Sequence, residues 1–438
     1  MRAVFSGQGQ LQAMLDFESG LARAQGRCGV IPGDAVTAIC AACRAEFFDC
    51  DELAKASTQA GNVAIPLVAA LTARVAASDV RAANYVHWGA TSQDMLDSGL
   101  MLQLRRALGL IRQDAERLSD ALVVLVKAHR TTVMAGRTWL QQATPITFGL
   151  KVAGWLDTLG RHQRRLRSLE DLLALQLGGA SGTLASLGKQ GLKVCQTLSD
   201  EVGLAQPTVP WHTERDRLAE FATTYGILVG TLGKMARDVS LLMQTEIGEA
   251  CEPHSPTRGG SSSMPQKRNP VACAVVLAAA VRMPGLVSTM LSAMVQEHER
   301  GLGGWHAEWE TLPELCRVTA GALAQMVEVI SGLEVFPERM RGNLERAHGV
   351  VTAESVSLAL AEHLGRSQAH RVVQKASESA LETGQDFAVV LAAAPEVARH
   401  FSPTEIDHLL SPSNYLGSAA EMIERVLERE HAQRNLER

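Results

Sequence analysis

The segment Gly260-Ser261-Ser262-Ser263-Met264-Pro265-Gln266-Lys267-Arg268-Asn269-Pro270 sets the reading of the whole chain. It separates two long apolar-periodic segments, so it is expected to be an exposed loop carried on a helical scaffold. Hydroxyls, cations and side-chain amides crowd together in it. Those are the groups needed to hold a carboxylate and to move a proton beside it. A polar linker accounts for these residues one at a time; it does not account for their order.

The scaffold is legible on both sides of the loop. Leu100, Leu104, Leu108, Ile111, Ala115, Leu118, Leu122 and Leu125 recur at alternating steps of four and three, the spacing of a coiled-coil seam. Leu218, Phe221, Tyr225, Leu228, Leu232, Met235, Val239 and Leu242 form a second seam. Seams of this length favour a helix bundle, including one shared between subunits. Near the start, Leu11, Met14, Leu15, Glu18, Leu21 and Ala22 fall on one helical face. Val271 to Gln296 is apolar on nearly every side and reads as a buried helix kinked at Pro284. The expected fold is all-α, in three helical domains: 1–90, a long central bundle over 91–345, and a C-terminal module over 346–438.

With 438 residues the chain can bury a large core, and a net charge of −5 offers no basic field for nucleic acid. The apolar run Val271–Val281 stops at Arg282 and Pro284, too short for a bilayer, and the first residues carry no export signal. A soluble, cytoplasmic protein is expected, with no membrane or nucleic-acid partner. The eight cysteines suggest no disulfide framework. Cys40-x-x-Cys43 lies in an Ala-rich helical stretch without a second pair, so it reads as core rather than metal site.

Four other strings carry chemistry. In Val86-His87-Trp88-Gly89-Ala90-Thr91-Ser92-Gln93-Asp94, Thr91 or Ser92 stands at the N-cap of a long helix. Two hydroxyls, free N–H groups and an adjacent histidine there can seat an anion. Gly136-Arg137-Thr138-Trp139-Leu140-Gln141-Gln142-Ala143-Thr144-Pro145 lies between the seams, and Leu177-Gly178-Gly179-Ala180-Ser181-Gly182-Thr183 breaks helical periodicity. Pro210-Trp211-His212-Thr213-Glu214-Arg215-Asp216-Arg217 offers a proton carrier in His212 and a carboxylate fork in Arg215. Asn62, after Ala60-Gly61, is a turn former that can also reach a pocket mouth. The tryptophans and histidines of residues 297–309 suggest a subunit contact or pocket wall.

Taken as an ordered string, Gly-Ser-Ser-x-Met-Pro-x-Lys-x-Asn-Pro resembles the signature of the fumarase/aspartase superfamily. The blocks at 87–94 and 136–145 resemble its His-x-Gly-x-Thr-Ser-x-Asp and Gly-Arg-Thr-His-x-Gln-x-Ala-x-Pro motifs. The resemblance implies an all-helical subunit, a homotetramer with sites shared between subunits, and no cofactor or metal. It assigns the base to Ser261, with Lys267 and His87 as further catalytic candidates beside His212 of the 210–217 string. Thr91, Ser92, Thr138, Trp139, Gln141, Ser262 and Asn269 become candidates for substrate contact beside Arg215 of the 210–217 string, and residues 179–183 are implied to flank the pocket. The departure is Trp139, where most of these lyases carry a histidine. Indole donates one hydrogen bond and does not titrate. That substitution resembles the carboxymuconate cycloisomerase branch, whose substrate is a small tricarboxylate and whose leaving group in the reverse direction, a carboxylate, needs little protonation. A lyase acting on adenylosuccinate or argininosuccinate, and a catalytically silent homologue, are the other two readings.

Overall fold

The structure, a computed structural model, describes residues 1–253, 259, 260, 264 and 266–435. Ser261 and Ser262 lie outside the described residues. Apart from two two-stranded antiparallel ladders, the regular structure described is helical, as the seams imply.

Helix α1 (Gly7–Arg27) is capped by Ser6, whose Oγ accepts from the Gly9 N–H at 3.0 Å. Its predicted face is buried, and Glu18 is buried with the apolar residues at 1% exposure. Three shorter helices follow: α2 (Gly33–Ala42), α3 (Cys50–Ala60) and α4 (Ala64–Ala76). Gly61, at φ 82°, ends α3 in the left-handed conformation glycine favours. Asn62 serves the next helix, its Oδ1 accepting from the Ile65 N–H at 3.2 Å.

Helix α5 (Ser92–Ala128) carries the first seam, and from Leu104 to Leu125 every seam residue is buried. A hairpin of β1 (Val133–Thr138) and β2 (Gln141–Thr147) comes next, then α6 (Phe148–Ser168) and α7 (Gly191–Val202). The second seam lies on α8 (Asp216–Leu242), buried at all eight positions. Beyond it come α9 (Val271–Ser292), α10 (Gly304–Ser331) and α11 (Pro337–Glu345). The C-terminal helices have a core of their own, including Val356, Leu360, Val373, Phe387, Leu391 and Ile406.

The chain divides into two compact units, one of residues 1–115, 162–232 and 278–324, the other of residues 116–161, 233–277 and 325–438. Helices α5, α6, α8, α9 and α10 each begin in one unit and end in the other.

The expectation of a buried helix at Val271–Gln296 needs correction. Ala272, Cys273, Val276, Ala279, Met283 and Met290 are covered, but Ala274, Ala278, Val281, Gly285, Ser288 and Ser292 form a solvent-facing stripe. Val281 is 81% exposed. An apolar helix signals that something covers it, not that its own chain does. The helix continues past the apolar run Val271–Val281 but ends at Ser292, short of Gln296. At 22 residues it is the one helix among the described residues long and apolar enough to cross a membrane. Arg282, near its middle, pairs with Glu314 at 2.5 Å.

The second seam admits a direct test. Phe221 is fully buried in α8, so Phe221→Ala should cost ~3–5 kcal/mol, read as a lower denaturant midpoint at unchanged slope.

Candidate functional site

The first unit assembles a site around the start of α5. Thr91 holds the N-cap position, and its N–H donates to Asp94 Oδ2 at 3.0 Å, one turn into the helix. Thr91 and Ser92 are half-buried, and among the described residues neither hydroxyl has a hydrogen-bond partner. Two hydroxyls at a positive helix end are suited to a carboxylate. The buried Asp94 then gathers the neighbouring strings. Gly178 and Gly179 donate backbone N–H groups to its two oxygens, each at 2.9 Å, and His212 Nε2 lies 2.8 Å from Oδ1. Gly178 has no room for a side chain: a Cβ there would lie 2.8 Å from His212 Cε1 and from Pro210 Cβ. The Gly-rich loop and His212 thus meet Thr91 through one carboxylate. The segment before α10 closes on the same place, with Thr213 Oγ1 donating to His298 O at 2.9 Å and Arg300 Nη2 to Ala180 O at 2.7 Å.

Arg215 is not a substrate fork in this structure. Its Nη1 and Nη2 donate to the Asp97 oxygens at 2.7 and 3.0 Å, and its Nε to Glu308 Oε1 at 3.0 Å. Nη2 also bonds Glu308, and Nη1 reaches His212 O at 3.5 Å. All five donors are engaged inside the protein. Trp305 Nε1 and Gln93 Nε2 add bonds to Asp97 at 3.2 and 3.1 Å. Burial opposes charge on the guanidinium, yet Asp97 and Glu308 hold its pKa above the usual arginine value. Burial raises the Glu308 carboxyl, with Arg215 pulling the other way. Within 212–217 it is His212 and Arg215 that are buried, and Arg215 forms an internal clasp rather than a free carboxylate fork.

His87 stands before this helix start with its backbone in the left-handed region at φ 57°. Its Nδ1 lies 2.6 Å from Glu18 Oε1. Burial pushes the imidazole pKa down, but the charge and hydrogen bond of Glu18 outweigh it, and the net direction is up.

The second unit carries the remaining described candidates. The β1–β2 register pairs Thr138 with Gln141, leaving Trp139 and Leu140 as a two-residue turn. Both have positive φ, 52° and 65°, where hairpins usually place Asn and Gly. Trp139 is 98% and Leu140 75% exposed, an apolar tip held in a conformation that costs ~1–2 kcal/mol per residue. Below it, Arg137 grips the buried Glu249 with two bonds of 2.8 and 2.6 Å. Lys267 is exposed. Asn269 is used locally, its N–H and Nδ2 both donating to Gly259 O at 2.9 and 3.1 Å. Arg268 is tied to Glu334 by bonds of 3.0 and 2.7 Å.

Residues 1–285 match the family model described as Lyase. The chain belongs to that family. Residues 349–426 match the model described as Adenylosuccinate lyase C-terminus. A 3-carboxy-cis,cis-muconate cycloisomerase of Pseudomonas aeruginosa is 57% identical over 99% of this chain and 94% of its own length. The nitrosuccinate lyase of Streptomyces davaonensis is 42% identical over 98% of this chain and 92% of its own length. The crystal structure of the 3-carboxy-cis,cis-muconate lactonizing enzyme of Pseudomonas putida superposes with a TM-score of 0.94 at 49% identity, covering 99% of this chain and 97% of that one. The family and the all-helical fold expected from the signature string therefore both hold.

The sequence offers no role for Asp97, and none for Glu308 beyond its place in the 297–309 stretch; Glu18 and Asp94 stand in the quoted patterns without roles. Glu18 had a visible signal, a charge on an apolar helical face; Asp97 and Glu308 had none beyond their type.

The clasp predicts a stability effect without substrate. Arg215→Met strands two buried carboxylates and should cost ~3–5 kcal/mol at neutral pH. The loss should shrink as pH falls, since burial already raises the Glu308 carboxyl and protonating it relieves part of the uncompensated charge, and thermal unfolding across pH measures it.

Proposed function

We propose that the protein is an intramolecular lyase that interconverts 3-carboxy-cis,cis-muconate and 4-carboxymuconolactone. The observation that carries this reading is the end-to-end identity of 57% with the Pseudomonas aeruginosa cycloisomerase. A substrate carboxylate adds to the conjugated double bond of the same molecule, and the carbanion formed spreads into the neighbouring carboxylate before it is protonated. The tethered nucleophile leaves the enzyme two tasks: folding the substrate for attack and neutralising three carboxylates. Thr91 and Ser92 seat one carboxylate at the α5 start, and Lys267 and Asn269 face the charge that develops. Ser261 exchanges the proton in both directions, and Thr138, Trp139, Gln141 and Ser262 complete the substrate contacts. Trp139 suits a reaction whose leaving group is already a weak base. No metal or nucleotide takes part.

The assembly belongs to the same proposal. The site is shared between subunits of a homotetramer, in which copies of α9 cover each other's Ala274–Ser292 stripe and the Trp139–Leu140 tip reaches a neighbouring copy. Small residues at steps of four and three support close helix packing, and the strained apolar tip supports a covering partner. The tripartite domain division and a cytoplasmic location in aromatic catabolism complete the reading.

Purified protein should consume 3-carboxymuconate, followed by loss of ultraviolet absorbance, with no added metal or nucleotide. Ser261→Ala should lower kcat by ~10²–10⁴ without changing the oligomer. Turnover of a succinyl-nucleotide instead would point to an adenylosuccinate-type lyase, and inactivity on both to a silent homologue. Val281→Arg should yield species smaller than a tetramer in sedimentation, because a charge in the stripe blocks close approach. An intact tetramer in that variant would remove α9 from the interface.

A further inference from the structure

We propose that Glu18 is a positioning residue for His87, fixing its imidazole before the α5 helix start as a standing cation that binds a substrate carboxylate. This deepens the tricarboxylate reading above and rests on it. Glu18 lies on the core face of α1, 1% exposed. A carboxylate buried there needs a compensating charge. Its Oε1 meets His87 Nδ1 at 2.6 Å, while its Oε2 is buried with no hydrogen-bond partner among the described residues. The ring therefore supplies the compensation, as imidazolium. With Nδ1 committed to Glu18, Nε2 is the donor left over, and no described residue takes it up. The backbone reinforces the placement. His87 sits at φ 57°, a conformation non-glycine residues avoid, and the Ala90 N–H closes a turn on His87 O at 3.3 Å, leading directly into Thr91.

The charged and titratable surroundings of the pair are few. Asp94 on α5 acts on the ring at a distance, and its own oxygens are engaged by Thr91, Gly178, Gly179 and His212. Cys43, beyond α2, feels Glu18, and burial pushes its thiol up. Asp16 and Arg23 share α1 with Glu18, and Arg23 is paired with Glu201 at 2.6 Å. Among the described residues only Glu18 bonds the ring. A cation locked to a buried carboxylate binds well and releases its proton reluctantly, which assigns His87 to holding substrate and leaves proton transfer to another group.

Glu18→Gln tests this because the amide oxygen still accepts from Nδ1–H while the charge is removed. In the free wild-type enzyme, the histidine ring signals, with His87 assigned by their loss in His87→Asn, should titrate above the ordinary ~6.5. In Glu18→Gln the midpoint should fall by ~1 pH unit or more. With 3-carboxymuconate, wild-type KM should be flat below the His87 midpoint and climb about tenfold per pH unit above it; in the variant the climb begins at lower pH, with kcat changed less than about threefold. A wild-type midpoint at or below the ordinary value overturns the proposal without any variant. So does a large fall in kcat at constant KM. A raised midpoint that Glu18→Gln lowers, in a protein that does not turn over 3-carboxymuconate, supports the ion pair and overturns the substrate assignment alone.

Discussion

The carboxylate of Asp94 is the constraint on which the described site depends. Its two oxygens accept from the Thr91, Gly178 and Gly179 N–H groups and from His212, and these arrive from three separate stretches of chain. Each donor is buried or half-buried, so removing the acceptor would strand several at once, a heavier loss than any one bond. The N-cap of α5, the glycine loop and the segment before α8 therefore have one common arrangement. At the helix start Asp94 takes the Thr91 N–H, and the hydroxyls of Thr91 and Ser92 have no hydrogen-bond partner among the described residues.

Around this centre the first unit buries acids that each have an assigned counterpart: Glu18 with His87, Asp94 with His212, and Asp97 and Glu308 with Arg215. Buried pairs of this kind add little net stability over an apolar replacement, but breaking one is costly. Their value here is register. Arg215 is bonded to α5 through Asp97 and to α10 through Glu308, and it also reaches His212 O. Helices that share so many charged contacts cannot slide past one another without stranding a charge.

Much of this was legible in the sequence, for identifiable reasons. The seams of α5 and α8 were readable because packing demands a fixed period, and residues such as Leu118 and Tyr225 are buried as the period requires. The polar strings were readable because their order was distinctive. What periodicity leaves open is who covers a face, and so Val281 stands in water where burial was expected. Residue type leaves open how a charge is spent. Arg215 reads equally well as a substrate fork or an internal clasp, and only the positions of Asp97 and Glu308 decide. Glu18 and His87 stand 69 residues apart, and no local pattern joins them. The Trp139–Leu140 turn is a different case: two bulky residues take a conformation that turn rules reserve for Asn and Gly, so those rules predict no hairpin there.

Gly178 carries a consequence for how this protein can vary over generations. The His212 ring and Pro210 occupy the space any side chain at 178 would need. An alanine there becomes acceptable only after the histidine or the proline has given way, and a changed histidine vacates the Asp94 contact. These positions are therefore expected to drift together or stay still together, so that a lineage which has exchanged the loop glycine should also have rebuilt the base of its pocket.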